Sequence, residues 1–208
     1  MNKHSSKILA RVSELSGDDK SDKIYDDWAQ DYDDDLINEF GYLSPQLAAD
    51  TLLTEINDPS MEIIDYGCGT GLVGEALQDK GFKCIDGIDI SAGMLSRAKQ
   101  KQAYRRLMRG DLTVKLTLAD DSYDAGVCIG SMGAGHVGAQ HTRELLRPIK
   151  PDGLFIIVMN GAYYESGGFE HQFRQLEVDG VWRIQQLREL NYMSELVRPG
   201  WLLLACKY

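Results

Sequence analysis

Glu62-Ile63-Ile64-Asp65-Tyr66-Gly67-Cys68-Gly69-Thr70-Gly71-Leu72-Val73-Gly74 begins as a strand and ends as a helix. Met61 to Tyr66 is a short apolar segment bounded by turn residues, which reads as a buried strand. Leu72 to Lys80 reads as a helix, and Gly81 ends it. Between them, Gly67, Gly69 and Gly71 stand at alternate positions. Glycines there let the backbone turn tightly and let a ligand approach it closely. The helix start that follows offers free N–H groups and a positive dipole end. A strand, a glycine turn and a helix in succession open a parallel α/β sheet.

The chain alternates in the same way on either side. Upstream, Asp22 to Glu39 has helical character, with Ile24, Trp28, Leu36 and Ile37 among many acids. Ser44 then reads as an N-cap, with Pro45 at the first helical position. Ala48, Leu52 and Ile56 recur every four residues, and Asn57-Asp58-Pro59 stops that helix. Downstream, strands are expected over Cys84 to Ile90, Arg105 to Met108, Tyr123 to Ile129 and Leu154 to Met159. The helices between and after them run from Ser91 to about Ala103, Gln140 to Arg147 and Phe169 to Glu177. Pro151-Asp152-Gly153 reads as a turn into the most apolar strand. Trp182 to Glu189 and Trp201 to Lys207 have no helix between them and are expected to pair antiparallel. The prediction is an α/β fold, a doubly wound and mostly parallel sheet with helices on both faces. Ligands bind such sheets beyond the carboxyl ends of the strands, at the switch point.

Composition narrows the function. The 208 residues suffice for one sizeable core. Residues 1–20 are polar and charged, with no apolar region of a secretory signal, and are expected to fray. Residues 21–208 are then expected to form one domain. No run approaches the roughly 18 apolar residues of a membrane span. The net charge is −10, and the densest basic clusters, Arg97 to Lys101 and Arg105 to Arg109, have the spacing of solvated faces. A polyphosphate needs clustered cations to displace its counterions, so a nucleic-acid partner is not expected. An RNA-modifying enzyme with a carrier subunit stays open. Cys68, Cys84, Cys128 and Cys206 form no C-x-x-C pair, so neither a zinc site nor a disulfide framework is expected, as suits the cytoplasm.

The chemistry-bearing residues follow the strands. Asp89 ends the second strand in Gly87-Ile88-Asp89-Ile90-Ser91, where a carboxylate suits the hydroxyls of an adenosine ribose or the start of a helix. Met94 packs on an adenine or on the core. Gly110-Asp111-Leu112 follows the third strand; Asp111 suits an adenine amino group or a turn. The fourth strand runs into Ile129-Gly130-Ser131-Met132-Gly133-Ala134-Gly135-His136, which should line the mouth of the site. His136 suits a base, a substrate-orienting group or a surface residue. Gly69-Thr70-Gly71-Leu72-Val73-Gly74 also fits the dinucleotide fingerprint G-x-G-x-x-G, with Asp89 at the ribose-acid distance. Asp65 ahead of the loop, and the paired strands of the tail, weigh against an oxidoreductase.

Together, Ile64 to Gly71, Gly87 to Ser91, Gly110-Asp111 and Lys150-Pro151-Asp152-Gly153-Leu154 resemble the class I S-adenosylmethionine (SAM)-dependent methyltransferases, from about Tyr25 to Tyr208. Tyr25-Asp26-Asp27-Trp28-Ala29-Gln30-Asp31-Tyr32-Asp33, with Gly71-Leu72-Val73-Gly74, looks like the branch of the methyltransferase-like protein of the Williams–Beuren syndrome region and its bacterial relatives. The resemblance implies a Rossmann-like sheet of seven strands, the last antiparallel, with SAM over the glycine loop and S-adenosylhomocysteine as product. By position, Asp65, Gly67 and Gly69 would contact the methionine end of SAM, with Cys68 in the same loop. Asp89 and Ile90 would lie at the ribose, Asp111, Leu112 and Met94 at the adenine, and Ile129 with Gly130 would close the floor. Tyr25, Trp28 and Tyr32 would form an N-terminal helical lid; the other reading of Trp28 is a core anchor. Met132, His136, Tyr163 and Tyr164 are the candidate acceptor contacts, and no metal is expected. The expected function is SAM-dependent methylation of a small molecule. The alternative is a SAM-binding regulatory or scaffold subunit without transferase activity.

Overall fold

A computed structural model describes residues 21–56, 58–133, 137–195 and 199–208. Strands β1 (Glu62–Tyr66), β2 (Cys84–Asp89), β3 (Arg106–Arg109), β4 (Tyr123–Ile129), β5 (Ile149–Asn160), β6 (Trp182–Asn191) and β7 (Pro199–Lys207) form one sheet in the order β3-β2-β1-β4-β5-β7-β6. β1 runs parallel to β2 and β4, β2 to β3, and β4 to β5. β7 enters antiparallel between β5 and β6. The chain builds outward from β1 to β3, then returns to start β4 on the other side. The switch point therefore lies between the carboxyl ends of β1 and β4, where the glycine turn and the Gly130 turn meet.

Alternate strand residues feed opposite faces, as the period of a strand requires. Ile63, Val127, Ile156, Val158 and Leu204 pack under helices α2 (Ser44–Glu55) and α3 (Leu72–Asp79). Their chain neighbours Ile64, Cys128, Ile157 and Leu203 pack on the other face, against α5 (Thr142–Leu146) and α7 (Phe169–Val178). Between them, α4 (Ala92–Lys101) links β2 to β3, and the short α6 (Gly161–Ser166) follows β5. Among the described residues no helix is long and apolar enough to cross a membrane.

Three local expectations need correction. Ser44 is the first residue of α2 rather than its cap; Leu43 holds the cap position, and no side chain caps the helix start. Pro151-Asp152-Gly153 does not precede β5 but bulges within it. Tyr123 pairs with Ile149 and Ala125 with Leu154, and Asp152 takes φ 62° to absorb the extra residues. The 22–39 stretch is not one helix: α1 (Ser21–Trp28) ends in a turn, and Asp35–Glu39 winds as a wider π turn. Arg105 and Arg106 are exposed, as their spacing implied, but their guanidiniums also reach inward. Both converge on the fully buried Asp86, which accepts bonds from Arg105 Nε (3.0 Å), Arg106 Nη2 (2.9 Å) and Tyr123 Oη (2.9 Å). Burial opposes its charge, but the bonds from Arg105 and Tyr123 prevail and hold its carboxyl below the usual range.

Candidate functional site

The glycine turn is bound on two sides. The N–H groups of Gly67 and Cys68 both donate to Ile88 O, at 2.8 and 3.0 Å. Ser131 Oγ donates to Gly67 O at 3.1 Å, and Gly67 takes φ 71° with no room for a side chain beside that hydroxyl. Gly69 differs. It takes φ 53°, and no protein atom lies within 4 Å of the place a Cβ would occupy. The turn is thus rigid where it meets the sheet and open at Gly69, as close ligand approach to a backbone demands.

Beneath the turn lies a residue that sequence reasoning did not single out. Tyr104, between α4 and β3, slides its ring under α3, where a side chain on Gly74 would overlap it. Its hydroxyl donates to Asp65 Oδ2 at 2.7 Å and accepts from Gly74 N–H at 3.1 Å. The third glycine of the apparent dinucleotide fingerprint therefore makes room for a tyrosine. Asp65 is almost wholly buried, and its Oδ1 has no hydrogen-bond partner. Burial pushes its carboxyl up to about 7, against the Tyr104 bond, with Asp89 adding repulsion. Burial also pushes the Cys68 thiol up, beside Asp65 and Asp89. A buried carboxylate oxygen without a donor fits a cationic partner from outside the chain.

Asp89 closes the other wall. Its Oδ2 accepts from Gly69 N–H at 2.8 Å and its Oδ1 from Ser91 N–H at 2.9 Å, so it ties the glycine turn to the start of α4. Burial raises its carboxyl, and these backbone bonds oppose the rise. Ser91 caps α4 by accepting from Met94 N–H at 3.0 Å. Met94 is buried and Ile90 half-buried, with Ile90 O accepting from Arg109 Nε. Asp111 Oδ1 holds its own turn, accepting from Thr113 N–H (2.8 Å) and Thr113 Oγ1 (2.6 Å), and Leu112 is in the core near Gly67. A carboxylate accepts about four bonds, so both acids keep capacity for a ligand.

The N-terminal segment folds over these strand ends. Trp28, Leu36, Phe40 and Met193 form a cluster of their own, joined by Tyr25, Tyr32, Tyr42, Leu72 and Tyr192. Trp28 is 2% exposed, its Nε1–H donating to Asp35 Oδ2 at 2.7 Å, with Tyr25 stacked and Tyr32 edge-on against it. Two acids latch the segment down. Asp26 accepts from Ser91 Oγ and from Gly93 N–H (2.8 Å), and Asp33 accepts from Thr70 Oγ1 and pairs with Lys101 at 2.8 Å. The latches thus grip the start of α4 and the glycine turn. On the far side, Leu43 N–H donates to Tyr192 O and Ser194 N–H to Gly41 O, so the β6–β7 connection is fastened to the same segment.

The β4 end is covered by tyrosines. A side chain on Gly130 would meet the Tyr42 hydroxyl at 2.9 Å, and one on Gly133 would meet the Tyr163 ring at 2.7 Å. Tyr25 lies close enough to feel Asp89, Tyr42 and Tyr163, and burial holds its phenol above the ordinary range. Ile129 and Met132 are buried on opposite faces of the sheet. Tyr164 is placed away from the mouth: it is 3% exposed and stacks on Trp201 at 4.7 Å, in the core. His136 and residues 1–20 lie outside the described residues. Tyr42 and Tyr192, like Tyr104, join the site through contacts far apart in sequence, and no motif marked them.

A glycine turn open at one residue, an orphaned carboxylate oxygen and an acid at the second strand suit an adenosine ligand with an amino-acid tail. Residues 64–157 match the family model described as "Methyltransferase domain". The chain is 34% identical over 186 residues to human methyltransferase-like protein 27, covering 84% of this chain and 74% of that protein. It is 33% identical over 81 residues to the bovine 18S rRNA (guanine-N(7))-methyltransferase, covering 39% of this chain and 28% of that protein. Among solved structures, a SAM-dependent methyltransferase from Mesorhizobium loti superposes with a TM-score of 0.60 at 19% identity, covering 78% of this chain and 100% of that one; this likeness speaks for the fold.

Proposed function

We propose, from the premise that this chain belongs to the class I SAM-dependent methyltransferases, that its methyl acceptor is a small molecule bound at the β4 and β5 ends under the N-terminal segment. SAM supplies a methyl group on a sulfonium, whose departure as a neutral thioether needs no acid. What the chain contributes is alignment and dryness. In this reading Asp65 and the Gly67–Gly69 turn hold the amino-acid end, Asp89 with Ile90 the ribose, and Asp111 with Leu112 and Met94 the adenine. Tyr25, Trp28 and Tyr32 cover them. Raised phenols at Tyr25 and Tyr42 stay protonated at neutral pH, so they donate hydrogen bonds to an acceptor rather than take its proton.

One observation supports the small acceptor above others. Tyr25, Tyr42 and Tyr163 close around the β4 end beside Asp89, a mouth roofed by the chain's own aromatics. The net charge of −10 argues the same way against a polyanion. The likeness to an rRNA methyltransferase favours a second reading, an RNA acceptor presented by a partner subunit. Methyl-labelled SAM added to a cell extract with the protein separates them. Label found after the filter in a small molecule chromatographically distinct from SAM, and absent without the protein, supports the proposal; label retained in RNA or protein supports the second reading. Bound SAM with no label transferred to any fraction leaves a SAM-binding subunit without activity.

A further inference from the structure

Tyr104 has no part in the ligand contacts proposed above, yet Gly71, Gly74 and Gly87 are shaped around its ring. A side chain on Gly71 would meet the ring at 3.0 Å, one on Gly87 at 3.0 Å, and one on Gly74 would overlap it. Its hydroxyl is the hydrogen-bond donor to Asp65, and it reaches Asp65 from the strand connection 39 residues away. The bond takes Oδ2 and leaves Oδ1 buried and unpartnered at the carboxyl end of β1, at the root of the open glycine turn. By accepting from Gly74 N–H the same hydroxyl also fixes the first turn of α3.

We propose that Tyr104 is a positioning residue for the cofactor: it holds Asp65 with one oxygen committed and the other presented to the cationic ammonium of SAM. The inference rests on the reading of Asp65 given above. The titratable groups around Asp65 are Tyr104, Asp89, the Cys68 and Cys128 thiols and the Tyr42 phenol. Among the described residues, none of these groups is a cation. Burial opposes ionisation of Asp65 and the Tyr104 bond favours it, leaving the carboxyl near 7. Without the phenolic donor the acid would stay protonated to higher pH, and a neutral acid attracts an ammonium poorly.

The test uses Tyr104→Phe, which keeps the ring and removes the donor. Calorimetry is run from pH 5.5 to 9 with S-adenosylhomocysteine, and with 5′-methylthioadenosine, which has the nucleoside but no ammonium. Native protein should bind both. Tyr104→Phe should weaken S-adenosylhomocysteine about tenfold near pH 7.5, less at pH 5.5 and at pH 9, while methylthioadenosine affinity stays within twofold. The ligand's own amine titrates equally against both proteins, so it cancels from the ratio. A loss that is equal at every pH, or shared by methylthioadenosine, makes Tyr104 a packing residue only and overturns the inference. No binding of either nucleoside to native protein overturns the cofactor reading itself. If Tyr104→Phe does not fold, 3-fluorotyrosine at position 104 decides: a sharper donor should move the pH rise in S-adenosylhomocysteine affinity downward, and an unmoved rise overturns the proposal.

Discussion

Asp89 already accepts two backbone N–H groups of its own chain, those of Gly69 and Ser91. It therefore fixes the shape of the glycine turn as well as presenting oxygens to a ribose. Asp89→Ala should weaken S-adenosylhomocysteine binding more than tenfold, about 1.4 kcal/mol or more, measured by calorimetry. Unchanged affinity in a folded variant would reduce Asp89 to a helix-start acid. Asp65 makes the opposite trade. Its folded value, pushed up to about 7, exceeds the unfolded one of about 3.9, so the native state binds more protons between those values. Its contribution to stability is whole below pH 4 and is lost as pH rises through 7. Asp65→Asn lacks this loss. The melting temperature of the variant relative to native protein should climb from pH 5 to pH 8, while its affinity for S-adenosylhomocysteine falls. A difference that is flat with pH would mean that Asp65 is not held near 7.

At the level of elements, the strands and the glycine turn were legible because their signals are local. Alternation, β-branched runs and glycine spacing all lie within a few residues of one another. The antiparallel tail was legible for the same reason: two apolar runs with no helix between them. The short α6 was not, because six residues from Gly161 to Ser166 are too few to show a helical period. The bulge in β5 was read as a turn because Pro151-Asp152-Gly153 has turn composition, and only pairing with β4 shows the strand continuing through it. Tyr104 escaped because its meaning lies in Gly74, Gly87 and Asp65, on three other elements. Gly74→Ala tests that packing. The added methyl overlaps the ring, and overpacking of this kind costs about 1–3 kcal/mol, read as a lower denaturant midpoint. A variant as stable as native protein would show that the ring moves aside freely.

Across the whole molecule the polar machinery divides between the two edges of the sheet. At the amino ends of β1, β3 and β4, Glu62, Arg106 and Tyr123 gather with Arg105 around the buried Asp86. At the carboxyl ends stand Asp65, Asp89 and the latched aromatic segment. Asp86→Ala should remove the buried acceptor of Arg105, Arg106 and Tyr123; because both guanidiniums are exposed to water and Arg105 keeps Glu62, the cost in denaturant unfolding should be about 1–3 kcal/mol. S-adenosylhomocysteine affinity of the folded fraction should not change, since no contact assigned to the ligand involves that edge. A large affinity loss would break the division.

If the carboxyl ends of the strands hold the cofactor, Tyr25, Trp28 and Tyr32 close over it. Hydrogen exchange with and without S-adenosylhomocysteine tests both parts in one measurement. Ligand should slow exchange at residues 22–36, together with the Gly67–Gly71 turn, residues 89–94 and residues 111–113, and change it little at the amino ends of the strands. Exchange at 22–36 that is already slow and does not respond, while the glycine turn does, would make Trp28 an ordinary anchor. Protection appearing elsewhere and not at the glycine turn would contradict the site itself.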